Sequence, residues 1–133
     1  MPATAIELKV ETDVVLARQA GRELAREMGF GSADQTRLAT AISELARNVI
    51  EYAGEGTCLI SDESNEHGTR IQVVVEDNGP GIADIEEAMT HGFTTGGGLG
   101  VGLPGAKRLV QEFDIESSPG HTRVTIAITR QKQ

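Results

Sequence analysis

Apolar and polar positions alternate over residues 4–10, TAIELKV, a period of two that predicts a short half-buried strand. Behind it the period lengthens. With Thr12 as an N-cap, Val14, Val15, Leu16, Ala20, Leu24 and Met28 predict a first helix, which Gly29 ends. Ser32 and Gln35 have capping-box spacing and start a longer helix that runs to about Tyr52. Along it Leu38, Ile42, Leu45 and Val49 recur at spacings of 4, 3 and 4 residues and form one apolar stripe.

Residues 57–62 and 69–76 predict two strands joined by a polar loop from Glu63 to Gly68, and Val73-Val74-Val75 suits a central place in a sheet. Asp77-Asn78-Gly79-Pro80-Gly81 then breaks the pattern sharply. Asp84 to Met89 reads as a short helix, and Thr90 to Gly98 has no periodicity. Leu103 to Phe113 predicts a third helix with Pro104 in its first turn. Two strand-like runs follow, Asp114–Ser118 and Thr122–Thr129, joined at Pro119-Gly120. Together these elements predict a single α+β domain over residues 1–133, with helices on one face of a mixed or antiparallel sheet.

Composition removes several classes. The formal net charge is -8 with no basic run, which argues against general nucleic-acid binding. Phe30, Tyr52, Phe93 and Phe113 are the only aromatics, so the core is aliphatic and no stacking platform exists for single-stranded bases. No apolar stretch approaches the roughly 20 residues of a membrane span. The N-terminus lacks the pattern of a signal peptide. Cys58 is the single cysteine, which leaves no internal disulfide and no cysteine-based zinc site. The expectation is a cytoplasmic domain without nucleic-acid or membrane partners.

Glycine is distributed unevenly. Nine of the 16 glycines fall between Gly79 and Gly105, and glycine is costly wherever an ordinary helix or strand would serve. Asp77-x-Gly79-x-Gly81 ends a valine-rich strand, which gives either a plain Asn-Gly turn or an acceptor beside a backbone that a flat ligand can approach. Asp77 suits the exocyclic amine of adenine. Gly96-Gly97-Gly98-Leu99-Gly100-Val101-Gly102 leads into the third helix. It reads either as a hinge or as a row of amides at a helix N-terminus, a natural anion site, with Thr94 and Thr95 adding hydroxyls. No GK[ST] ends it, so it is not a P-loop.

Glu44 and Asn48 sit one turn apart on the second helix, beside the apolar stripe rather than opposite it. They form either a solvated face with an i,i+4 contact or the rim of a cleft. In a cleft the carboxylate could accept a proton or order a water, and the amide oxygen could ligate Mg²⁺. His67, His91 and His121 are scattered and read as solvated positions rather than metal ligands.

The order of these pieces is more specific than any one of them. A helix with ExxxN, a strand ending DxGxG, a GxGxG before a helix, and Gly120-His121-Thr122 between terminal strands resemble the GHKL ATPase superfamily over nearly the whole chain. The size, and the phrases ISELARN, DNGPGI and GFTTGGGLGVGLPGAKRL, are most similar to its small serine kinases and anti-sigma factors, in particular the switch kinases of the bacterial stressosome.

The resemblance implies a two-layer α/β sandwich of the Bergerat type, with a mostly antiparallel sheet. It implies ATP and Mg²⁺ as cofactors. Asn48 would ligate the metal, Glu44 would be the general base, and Asp77 would hold the adenine amine with Thr122 close by through water. Gly79 and Gly81 would line the base and ribose. Thr95, Gly98, Leu99, Gly100, Val101 and Gly102 would surround the phosphates.

The implied partners are STAS-domain substrates, scaffold and antagonist of a stressosome, and a phosphatase-type downstream regulator. The protein itself would be a monomer or weak dimer. An anti-sigma factor that sequesters a sigma subunit, or an ATP-sensing module without catalysis, are the rival implications. One departure bears on them: residues 91–102 contain no Lys or Arg, whereas longer lids in that set carry a basic residue for the transferring phosphoryl group. Arg47, Lys107, Arg108 or the protein substrate would supply that charge.

Overall fold

The computed structural model describes residues 3–81, Met89 and residues 102–131. In chain order the elements are β1 (Ala3–Leu8), α1 (Glu11–Glu27), α2 (Ser32–Tyr52), β2 (Gly56–Asp62), β3 (Gly68–Asp77), α3 (Gly102–Leu109), β4 (Glu112–Ser118) and β5 (His121–Gln131). The strands form one sheet in the order β1-β2-β3-β5-β4, and every neighbouring pair is antiparallel. The valine-rich β3 takes the central place its composition predicts.

The three helices of the described residues lie on one face. From α2, Leu38, Ile42, Leu45 and Val49 are buried as one stripe. They meet Cys58 and Ile60 of β2, Ile71, Val73 and Val75 of β3, and Val124, Ile126 and Ile128 of β5 in a single core. Strand alternation explains the partition: each inward residue is followed by an outward one. Among the described residues no helix is long and apolar enough to cross a membrane.

Four local expectations are corrected. Helix α1 starts at Glu11, so Thr12 is inside it, and the carboxylate of Asp13 accepts the amides of Lys9 (2.8 Å) and Val10 (3.0 Å). Two backbone donors hold the Asp13 carboxyl below its ordinary value. The buried face of α1 is Val14, Ala17, Gly21 and Ala25, while Leu16 is 53% exposed. Small residues win this face because α1 packs closely on α2, with Ile42 against Gly21.

At α2 the cap position is Gly31, Ser32 is already helical, and the Gln35 side chain donates back to the Phe30 carbonyl at 2.8 Å. The third helix ends at Leu109, and Phe113 belongs to β4, opposite Ile126. The expected short helix at Asp84–Met89 lies outside the described residues, Met89 excepted.

Candidate functional site

One row of residues crosses all five strands at an end of the sheet. Leu8 stands opposite Gly56, Gly56 opposite Asp77, Asp77 opposite Thr122, and Thr122 opposite Ser117. Alternation puts the row on the same face as Cys58, Val75 and Val124, beneath the helices. Asp77, Thr122 and Ser117 are therefore three polar neighbours set into an aliphatic surface.

Thr122 is buried, with its hydroxyl 2.7 Å from Ser117 Oγ. Ser117 also donates to the His121 carbonyl at 3.4 Å. Asp77 Oδ1 accepts the amide of Gly79 at 2.9 Å, closing the turn that the Asp-Asn-Gly sequence favours. Among the described residues, no group donates to its second oxygen.

The two glycines of the turn are required by the protein itself. A Cβ on Gly79 would stand 2.5 Å from Ala53 Cβ, at the end of α2. Gly81 has φ +85°, and a side chain there would run into the Ser118 carbonyl. The turn is thus wedged between α2 and the β4–β5 hairpin, and Asp77 is fixed by the same wedge. The end of α2 also lies over Gly56, whose missing Cβ leaves Val49 room.

From α2, Glu44 and Asn48 are half-buried at the edge of the core-facing stripe. Glu44, with its side chain 12% exposed, lies 3.4 Å from Arg47 Nη1, and Arg47 is 3.7 Å from Glu11. Its other oxygen accepts the amide of Gly102, the first residue of α3, at 3.2 Å. A carboxylate at a helix start is favoured by the helix dipole. The Gly102 amide expected to face a phosphate is turned to Glu44. Lys107 and Arg108 lie in the last turn of α3, at the end away from Gly102. Thr95, Gly98, Leu99, Gly100 and Val101 lie outside the described residues.

The structure thus brings Asp77, Thr122 and the wedged glycines together, and pairs Glu44 with Gly102. Ser117 was missed by sequence reasoning. Its only signal is the alternation of Phe113, Ile115 and Ser117, which marks it as inward.

The remaining candidates stand apart. His121 is 2.7 Å from Glu76 on the open face of the sheet, and His67 lies beside Glu66 on the surface. Burial pushes the Cys58 thiol up to about 12, which suits an inert core residue. Among the described residues, no three His, Cys, Asp or Glu side chains cluster to hold a metal.

The profile of the histidine kinase-, DNA gyrase B-, and HSP90-like ATPase family matches residues 33–132. Serine/threonine-protein kinase RsbT of Bacillus subtilis (strain 168) is 50% identical over 115 residues, which are 86% of this chain and 86% of that protein. The anti-sigma F factor of Thermoanaerobacter sp. (strain X514) is 35% identical over 85 residues, 61% of this chain and 59% of that protein. The crystal structure of the RsbU and RsbW domains of Rv1364c from Mycobacterium tuberculosis superposes with a TM-score of 0.65 at 18% identity, over 100% of this chain and 34% of that one. The last likeness speaks to the fold. Matched motifs, a matched sheet and identity along most of its length place the chain in the histidine kinase-, DNA gyrase B- and HSP90-like ATPase family, among the relatives of serine/threonine-protein kinase RsbT.

Proposed function

We propose that the chain is an ATP- and Mg²⁺-dependent protein serine/threonine kinase that acts by partner switching in the cytoplasm. It phosphorylates STAS-domain proteins of a stressosome and, once released, engages a phosphatase-type regulator. The observation that carries this reading is the Asp77–Thr122 pair on the helix-facing side of the sheet end, under the α2 helix that bears Glu44 and Asn48. The similarity to a kinase named RsbT supports the reaction, and that to an anti-sigma factor supports a protein partner.

Each residue then has a task. The uncommitted oxygen of Asp77 accepts the adenine amine, and Thr122 helps through water. Asn48 offers a single neutral amide oxygen, which suits Mg²⁺, an ion that keeps water and phosphate oxygens as its other ligands. When bound, Mg²⁺ supplies charge neutralisation at the phosphates.

As the family resemblance implies, Thr95 and the backbone of Gly98, Leu99, Gly100, Val101 and Gly102 would hold the phosphates, and Gly102 would then exchange Glu44 for them. Glu44, so released, takes the proton of a substrate serine or threonine hydroxyl as its oxygen bonds to the γ-phosphorus and ADP leaves. Arg47, which contacts Glu44, Lys107, Arg108 or the protein substrate supplies the charge that residues 91–102 lack.

Incubation with labelled Mg-ATP and a STAS-domain partner, beside Glu44→Ala and Asp77→Asn controls, tests this. Label should pass to the partner with the wild type and with neither variant. ATP binding without transfer would leave a nucleotide sensor, and preferential capture of a sigma subunit would favour the anti-sigma reading.

A further inference from the structure

The Thr122 hydroxyl has one proton to give and two lone pairs. At 4% exposure it cannot turn to bulk water, so its neighbours decide where the proton points. Ser117 Oγ lies 2.7 Å away, directly opposite across the β4–β5 ladder, and itself donates to the His121 carbonyl. When its own proton goes to that carbonyl, Ser117 offers Thr122 lone pairs. The 2.7 Å contact admits either hydroxyl as donor; in the arrangement in which the protons run from Thr122 to Ser117 to His121, Thr122 turns lone pairs towards its other register partner, Asp77.

We propose that Ser117 is a specificity-determining positioning residue of the nucleotide site: by taking the Thr122 proton it makes Thr122 and Asp77 a pair of adjacent acceptors, which selects a purine with an amino group at its six-position over one with a carbonyl there. This rests on the reading that places the purine edge at Asp77 and Thr122. An amino group supplies donors to both acceptors, directly or through one water. A six-position carbonyl meets lone pairs on both. Replacing Ser117 by alanine frees the Thr122 proton to donate to that carbonyl, so discrimination falls although Ser117 itself need not touch the nucleotide.

The test measures dissociation constants of ATP and ITP, which differ at that position, for the wild type, Ser117→Ala and Ser117→Thr. The wild type should prefer ATP. Ser117→Ala should narrow the ATP-to-ITP ratio by about tenfold, the worth of one reoriented hydrogen bond, and Ser117→Thr, which keeps the hydroxyl, should restore it. In a Thr122→Val background, adding Ser117→Ala should leave the ratio unchanged.

Equal weakening of both nucleotides by Ser117→Ala would show a merely structural role and overturn the proposal. So would an unchanged ratio, and so would a full Ser117→Ala effect in the Thr122→Val background. If the wild type binds no ATP, the reading of the site fails as well. If it binds ATP with the expected preference and Ser117→Ala does not move the ratio, the role of Ser117 alone fails.

Discussion

Glu44 Oε2 accepts the amide of Gly102, 58 residues further along the chain, and so ties the middle of α2 to the first turn of α3. The carboxylate therefore has a structural task as well as its proposed chemical one, and two substitutions separate them. Glu44→Gln keeps an acceptor for Gly102 but no base. Its thermal midpoint should stay close to that of the wild type while phosphoryl transfer drops roughly 10²–10⁴-fold. Glu44→Ala should lose transfer and, in addition, about 1–3 kcal/mol of stability, read from denaturant midpoints.

Asp77→Asn keeps an oxygen for the Gly79 amide and so keeps the turn. It places a neutral amide where the adenine amine would find a carboxylate. ATP affinity should fall about 10- to 100-fold, as for loss of a hydrogen bond to a charged group, with an unchanged circular dichroism spectrum. Retention of full affinity in a titration would move the adenine elsewhere.

Gly81 and Gly120 both have positive φ, +85° and +89°, but only Gly81 faces backbone at close range. Gly120→Ala should therefore cost about 1–2 kcal/mol, the strain of the left-handed conformation alone. Gly81→Ala adds a collision with the Ser118 carbonyl and should cost more, and it should weaken ATP binding because the wedge holds Asp77. Denaturant titration of the two variants side by side ranks them.

Arg70 clamps Glu112 through two hydrogen bonds, at 3.0 and 2.8 Å, which tie central β3 to edge β4 across β5. The bonds and charge of Arg70 hold the Glu112 carboxyl below its ordinary value. A depressed folded-state value gives stability that is complete above the ordinary glutamate range and lost as pH falls through the folded value. Both side chains meet solvent, so the contribution is under about 1 kcal/mol. Glu112→Gln should be slightly less stable than the wild type at pH 7, and the gap should narrow as pH falls below the ordinary glutamate range, measured by urea unfolding across that range.

Much of the fold was legible because it rests on period. Leu38, Ile42, Leu45 and Val49 can face the core together only as a helix, and β3 declares itself by its valines. The misreadings arose where hydropathy and geometry part. Leu16 is apolar yet exposed, because α1 meets α2 through Ala17, Gly21 and Ala25, and close approach selects for size. Phe113 fits either a helix that includes Leu109 and Val110 or a strand shared with Ile115, and pairing with Ile126 decides.

The candidate site follows the same division. Asp77 and Gly79 stand out locally, as an acid and a break at the end of an apolar strand. Ser117 does not, because its meaning depends on Thr122 across the hairpin. Nor could any local pattern reveal that Glu44 takes up the Gly102 amide.

The row from Leu8 through Gly56, Asp77 and Thr122 to Ser117 also sets an order in time. Each strand contributes one member, and the Asp77–Thr122 pairing joins segments that leave the ribosome far apart. Such distant pairings form late, since the chain between them must first lose its freedom. An emerging chain would have Asp77 in place as the end of a β2–β3 hairpin well before Thr122 exists to stand beside it. On the proposed reading, nucleotide recognition is then among the last properties the protein acquires, and a chain that has not closed its final hairpin cannot enter the kinase's cycle of partners.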